Sequence, residues 1–133
     1  MLIVHFSMTS QISSSNNQKF NLEERTAAFG EAVINFCRGI KADRVSDKIV
    51  SQLVRSGTSV GANYYEANEC NSKRDFSHKL VIAKKEAKET MYWLRMISRS
   101  NPEKKSEARK LWQEVREFVL IFSSAIKNSK LGK

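Results

Sequence analysis

Hydrophobic positions recur along the chain at alternating steps of four and three residues, in four separate runs. The first is Leu22, Thr26, Phe29, Val33, Phe36 and Ile40, and the second is Ile49, Leu53, Ser56, Val60, Asn63 and Ala67. The third is Phe76, Leu80, Ala83, Ala87, Thr90, Leu94 and Ile97, and the fourth is Leu111, Val115, Phe118, Phe122 and Ala125. Residues so spaced share one stripe of a helix and pack against the stripes of neighbours. The period-2 alternation of strands is absent. The pattern predicts helices over about 22–39, 44–70, 73–99 and 102–128. Helix-start chemistry agrees: Asn21 followed by Glu24 and Ser72 followed by Asp75 both read as capping boxes. Asn101-Pro102-Glu103 reads as an N-cap, a proline at the first helical position and an acid in the first turn. The short connections predict antiparallel neighbours, so the expected fold is an all-α, up-and-down four-helix bundle over 20–133.

Composition fits this picture. The 133 residues include 5 Gly and 1 Pro, too few for a turn-rich β sandwich or barrel, and 41% are hydrophobic, enough for a core. No run approaches the roughly 20 apolar residues that span a bilayer. The two cysteines, Cys37 and Cys70, form neither a CxxC pair nor a disulfide framework, and fit reduced thiols in the cytoplasm. Residues 1–19, rich in Ser, Asn and Gln from Thr9 onward, read as a loose tail, and Met8 is an alternative start to Met1. Two polar residues, Ser56 and Asn63, sit on the second seam. Gly57 and Gly61 form a small-xxx-small pair, expected to admit either a neighbouring helix or another subunit at close range.

Charge sharpens the functional reading. The net charge is +9. Residues 1–70 carry 7 cationic and 7 acidic side chains, whereas residues 71–133 carry 16 and 7. The whole excess lies in the second half, which points to an anionic partner, with nucleic acid or an acidic membrane surface as first candidates. Lys84, Lys88, Arg95 and Arg99 fall within about 60° of one another on the third helix. Lys105, Arg109, Trp112 and Arg116 occupy a similar arc on the fourth. Two such stripes can track a phosphate backbone, and Trp112 can either stack on a base or serve packing. Glu86, Glu89, Glu114 and Glu117 lie nearby and are expected to moderate the field. Phosphates carry no sequence code, so such binding would be salt-dependent and weakly specific.

Arg74 and His78 lie one turn apart and resemble the Arg…His motif of HEPN ribonucleases, which normally has four to six intervening residues against three here. Asp75 and His78 have carboxylate–histidine metal spacing, but the only other histidine is His5, so no metal site is expected. Ser59, Asn63, Glu66 and Cys70 share a face of the second helix, which fits a buried polar network between helices or, with Tyr64 and Tyr65 to either side, a small-ligand pocket. No glycine-rich phosphate loop, Ser-His-Asp set or zinc-finger spacing occurs, and no cofactor is expected.

Two blocks have a recognisable wording: Gln52-Leu-Val-Arg-Ser-Gly-Thr-Ser-Val-Gly-Ala-Asn-Tyr-Tyr-Glu-Ala67, and Asp75-Phe-Ser-His-Lys-Leu80 continuing through Ile82-Ala-Lys-Lys-Glu-Ala87, Glu89-Thr90 and Tyr92-Trp-Leu94. Over about residues 20–126 the chain resembles the four-helix bundle family named for proteins encoded in intervening sequences of bacterial 23S ribosomal RNA. The accessory proteins of diversity-generating retroelements resemble the same family. The resemblance implies a homopentameric ring and, for the retroelement relatives, binding of nucleic acid and of a reverse transcriptase. It brings no catalytic residues. The function expected is that of a non-enzymatic nucleic-acid-binding accessory or scaffold protein. The alternatives are a structural or protein-interaction oligomer, and a ribonuclease centred on His78.

Overall fold

The computed structural model describes the backbone of residues 18–131 and the side chains of residues 22–129. Among the described residues four helices follow one another: α1 (Gln18–Arg38), α2 (Arg44–Asn68), α3 (Lys73–Ser100) and α4 (Lys105–Leu131), with a 3-10 turn at Pro102–Lys104 between the last two. No strand occurs among the described residues. The expected bundle is present, and most expected seam positions are buried; Ile40, Ile49, Asn63, Phe76 and Ala125 are only half-buried, and Tyr64 rather than Asn63 enters the core. Leu22, Thr26, Phe29, Val33 and Phe36 are buried on α1, and Leu53, Ser56, Val60 and Ala67 on α2. Leu80, Ala83, Ala87, Thr90, Leu94 and Ile97 are buried on α3, and Leu111, Val115, Phe118 and Phe122 on α4. Burying each large apolar side chain stabilises by about 1.5–3 kcal/mol relative to exposure. Aromatic rings join three helices at the centre. Phe29 of α1 meets Phe118 of α4 edge-on at 5.6 Å, and Tyr64 of α2 stacks on Phe122 at 5.8 Å.

The helix ends differ from the expected ones where tertiary contacts compete for the capping side chains. Ser72 does cap α3, accepting from Asp75 N at 3.1 Å. Asp43 caps α2 in an extended conformation, accepting from Val45 N at 3.0 Å and Ser46 N at 2.7 Å. Asn21 does not start α1, because that helix already begins at Gln18. Asn101 makes no side-chain cap bond to the turn that follows it. It is buried instead and accepts from Ser46 Oγ at 2.9 Å, tying the start of α2 to the end of α3. Pro102 still ends α3, because the residue before a proline is pushed out of the helical region; Asn101 has φ −132° and ψ 77°. The tail expected over 1–19 falls, up to residue 17, outside the described residues.

Helices α1 and α2 touch almost backbone to backbone. A Cβ placed on Gly61 would lie 3.2 Å from the Thr26 carbonyl, and one on Gly57 would lie 3.0 Å from Val33. Of the two uses expected for the Gly57/Gly61 pair, close approach of a neighbouring helix is the one seen. Between α2 and α3 the seam is polar at one level. Thr90 donates to Ser56 at 2.9 Å, and Ser56 donates to the Leu53 carbonyl at 3.4 Å. Both side chains are fully buried, so this chain satisfies groups that would otherwise be costly to desolvate.

Candidate nucleic-acid interface

The eight residues of the two basic stripes lie on α3 and α4, which pack side by side. Lys88, Arg95, Arg99, Lys105, Arg109 and Arg116 are exposed, whereas Lys84 and Trp112 are half-buried. A groove of about 440 Å³ runs between the helices. Arg95 from α3 and Lys105, Arg109 and Trp112 from α4 line it, together with Leu94, Ser98, Ala108 and Gln113. The fold thus gathers four of the eight residues around one depression. Lys84, Lys88, Arg99 and Arg116 do not line it. Trp112 packs against the core and also lines the groove. Among the described residues none of the eight takes part in an ion pair.

The four acids expected to moderate this field are engaged elsewhere. Glu86 and Glu89 of α3 pair with Arg55 of α2, the first at 3.1 Å. Glu89 also accepts from the Trp93 indole at 2.9 Å. That hydrogen bond, followed by those from Arg55, holds the Glu89 carboxyl below its usual range. On the far side of α4, Arg25 of α1 pairs with Glu114 at 2.9 Å and with Glu117 at 3.0 Å. The Arg25 guanidinium also lies over the Phe118 ring, 5.2 Å from its centroid. Glu114 is buried enough that desolvation outweighs its arginine partner and pushes its pKa up to about 7. Two arginines from the first hairpin therefore each engage two acids of the second, on the faces turned toward α1 and α2. The α3/α4 groove keeps its cations without those counter-charges. Nothing in the sequence reveals Arg25 or Arg55 in this role, because their partners are 31–92 residues away.

The remaining candidates come apart. Arg74 and His78 are both exposed at the start of α3, and no side-chain hydrogen bond joins them among the described residues. The stripe Ser59, Asn63, Glu66 and Cys70 is not a buried network. Ser59, Asn63 and Cys70 each donate to a backbone carbonyl four residues back on α2, at 2.6, 2.9 and 3.3 Å. Only Glu66 crosses to another helix, pairing with Lys79 at 2.6 Å. The polar contact buried between α2 and α3 is Ser56–Thr90 instead, one seam position inward. Cys37 is a free thiol whose pKa burial raises to about 11, so it is a packing residue rather than a nucleophile. Among the described residues no three His, Cys, Asp or Glu side chains form a metal-binding group, and no helix is long and apolar enough to cross a membrane.

Residues 18–124 match the family model of the 23S rRNA-intervening sequence proteins. No curated protein matches the chain. Among solved structures, the chain is similar to a protein of unknown function from the S23 ribosomal protein family of Bacteroides thetaiotaomicron. The two share 30% identity and superpose with a TM-score of 0.72, over 82% of this chain and 97% of the other. The chain belongs to the 23S rRNA-intervening sequence protein family.

Proposed function

We propose that this member of the family is a non-enzymatic, nucleic-acid-binding accessory protein, working beside a ribosomal RNA or a reverse transcriptase. The observation that supports this reading is the division of charge. The acids of α3 and α4 are held by Arg25 and Arg55, while the cations of the α3/α4 face stay unpaired among the described residues. Unpaired lysines and arginines on adjacent helices attract polyphosphate and release its counterions, which makes affinity fall as salt rises. A gel shift against structured RNA and duplex DNA at 50 and 200 mM salt tests it. With four to six phosphates contacted, affinity falls about 100- to 1,000-fold between the two salt concentrations. Reversal of Lys84, Lys88, Arg109 and Arg116 to Glu abolishes binding and leaves the helical circular dichroism intact. Absent binding at low salt, or salt-independent binding, defeats the proposal.

Self-assembly belongs to the same reading. A shallow groove of about 370 Å³ on the outer face of α1 and α2 is lined largely by small and apolar side chains, among them Ala27, Ile34, Ala62 and Tyr65. Ile34 and Tyr65 are 36% and 47% exposed and border the same groove, so together with Ala27 and Ala62 they make one apolar patch. We assign this face to contact between copies, within the homopentameric ring that the family resemblance implies. A ring would multiply weak phosphate contacts through avidity. Light scattering at micromolar concentration should show an oligomer that Tyr65→Glu dissociates. A monomeric wild-type chain removes the ring.

A further inference from the structure

The α3/α4 groove is not uniformly cationic, and the mixture of its walls narrows what it can hold. Leu94 and Ala108 are buried residues that form its floor, and Trp112 adds an aromatic wall. Arg95, Lys105 and Arg109 stand around it, all exposed. No acidic side chain lines it. A duplex would use only half of this chemistry. Its bases are stacked inward and its phosphates outward, so it would satisfy the three cations and leave the half-buried Trp112 ring without a partner. A purely apolar ligand would do the reverse, placing three charged groups against a surface that cannot solvate them. A flat aromatic group carrying a phosphate satisfies both. The volume, about 440 Å³, lies in the range of sites that enclose small organic ligands.

We infer that the groove seats an unpaired nucleotide of a single strand, its base against Trp112 and its flanking phosphates on Arg95, Lys105 and Arg109. The inference rests on the nucleic-acid reading above and adds the strand form to it. Base-on-aromatic stacking is tolerant of base identity, because every base presents a π face. The site therefore discriminates single strand from duplex rather than one sequence from another.

Trp93 and Trp112 are the only tryptophans. In a Trp93→Phe background, Trp112 becomes the sole indole reporter, and Trp93 does not line the groove. The probes are a 12-mer oligothymidylate, a 12-mer abasic strand with the same phosphates, and a 12-base-pair duplex, each at low salt. Thymidylate is expected to quench Trp112 fluorescence and to bind about tenfold tighter than the abasic strand. The duplex is expected to leave the fluorescence unchanged. Trp112→Leu, checked for folding by circular dichroism, is expected to lower thymidylate affinity to that of the abasic strand. Equal affinities of the thymidylate and abasic strands, or thymidylate binding without quenching, overturn the base-seating inference while leaving phosphate binding in place. Equal binding of duplex and thymidylate overturns it too. Failure of all three probes to bind overturns the nucleic-acid reading itself. The quenching titration needs no change at Trp112, so it decides the matter even where the leucine variant misfolds.

Discussion

The two hairpins of this bundle use charge and contact in opposite ways. The first, α1 with α2, lies in the charge-balanced half of the chain and closes by glycine, with Gly61 against the Thr26 backbone and Gly57 against Val33. The second, α3 with α4, carries the cationic excess and leaves an open groove between its helices. They are not independent. The first hairpin supplies Arg25 and Arg55, which hold four of the second hairpin's seven acids. The lesson is that net charge per segment misstates the field at a surface. What matters is which acids are turned away and by what.

The largest expected effect separates the two arginine clusters. Arg25 is 6% exposed and faces Glu114, whose side chain is 12% exposed, whereas the Arg55 side chain is 46% exposed. Removing one partner of a buried pair costs about 3–5 kcal/mol, because the other charge is left uncompensated. An exposed pair is worth about 0–1 kcal/mol. Arg25→Ala should therefore destabilise strongly at pH 8 in urea unfolding, and Arg55→Ala by about 1 kcal/mol or less. Equal losses would erase the distinction between a clamp and a surface pair. Both variants also release acids of the second hairpin, so both should weaken nucleic-acid binding at low salt.

A smaller effect tests the glycine seam. Gly61→Ala gains about 1 kcal/mol of helix propensity but forces a methyl to 3.2 Å from the Thr26 backbone, which cannot rotate away. Overpacking of this kind costs about 1–3 kcal/mol, so the net change is a loss. At Gly30 the nearest atom to a new Cβ is Thr58 Cα at 3.6 Å, an ordinary contact. Gly30→Ala should therefore stabilise by about 0.5–1 kcal/mol. Thermal melts of the two variants should move in opposite directions. If both rise, the α1/α2 seam is looser than the second hairpin's and the contrast between them is lost.

The same contrast explains what was legible in the sequence. The seams are local: a helix stripe is written in the four-three spacing of its own residues, and nearly every predicted position from Leu22 to Phe122 is buried. The Ser72 cap is local too, and it forms. Asn101 takes the predicted N-cap position, before Pro102 and Glu103, but makes no side-chain cap bond because its side chain is claimed by Ser46, 55 residues away. The stripe from Ser59 to Cys70 was placed on one face correctly but on the wrong side of the surface. Short polar side chains in a helix can bond their own backbone, and they do so here. At the candidate site, the stripes on α3 and α4 follow from helical angles, so their presence was readable. Which four residues share the groove depends on helix docking, and the disarming of Glu86, Glu89, Glu114 and Glu117 depends on contacts between hairpins. Neither leaves a mark at short range.

The smallest effect is a pH dependence carried by Glu114, where the two hairpins meet. Its pKa is pushed up from 4.5 to about 7 by burial, against the pull of Arg25. A group with a raised pKa in the folded state binds its proton more tightly there than in the unfolded chain. Its stabilising contribution is fully present below about pH 4.5 and is lost as pH rises through about 7. Glu89 and Asp43 have lowered pKa values, so their contributions disappear only at lower pH and leave this window clear. Stability should therefore fall between pH 5 and 8 by an amount on the order of 1 kcal/mol once partial solvent access is discounted, and the melting temperature with it. Glu114→Gln keeps an acceptor for Arg25 and has no proton to lose, so its melting temperature should be flatter over that range. An equal slope in the variant would show that Arg25 compensates Glu114 fully. The clamp between α1 and α4 would then be an ordinary ion pair rather than one held against desolvation.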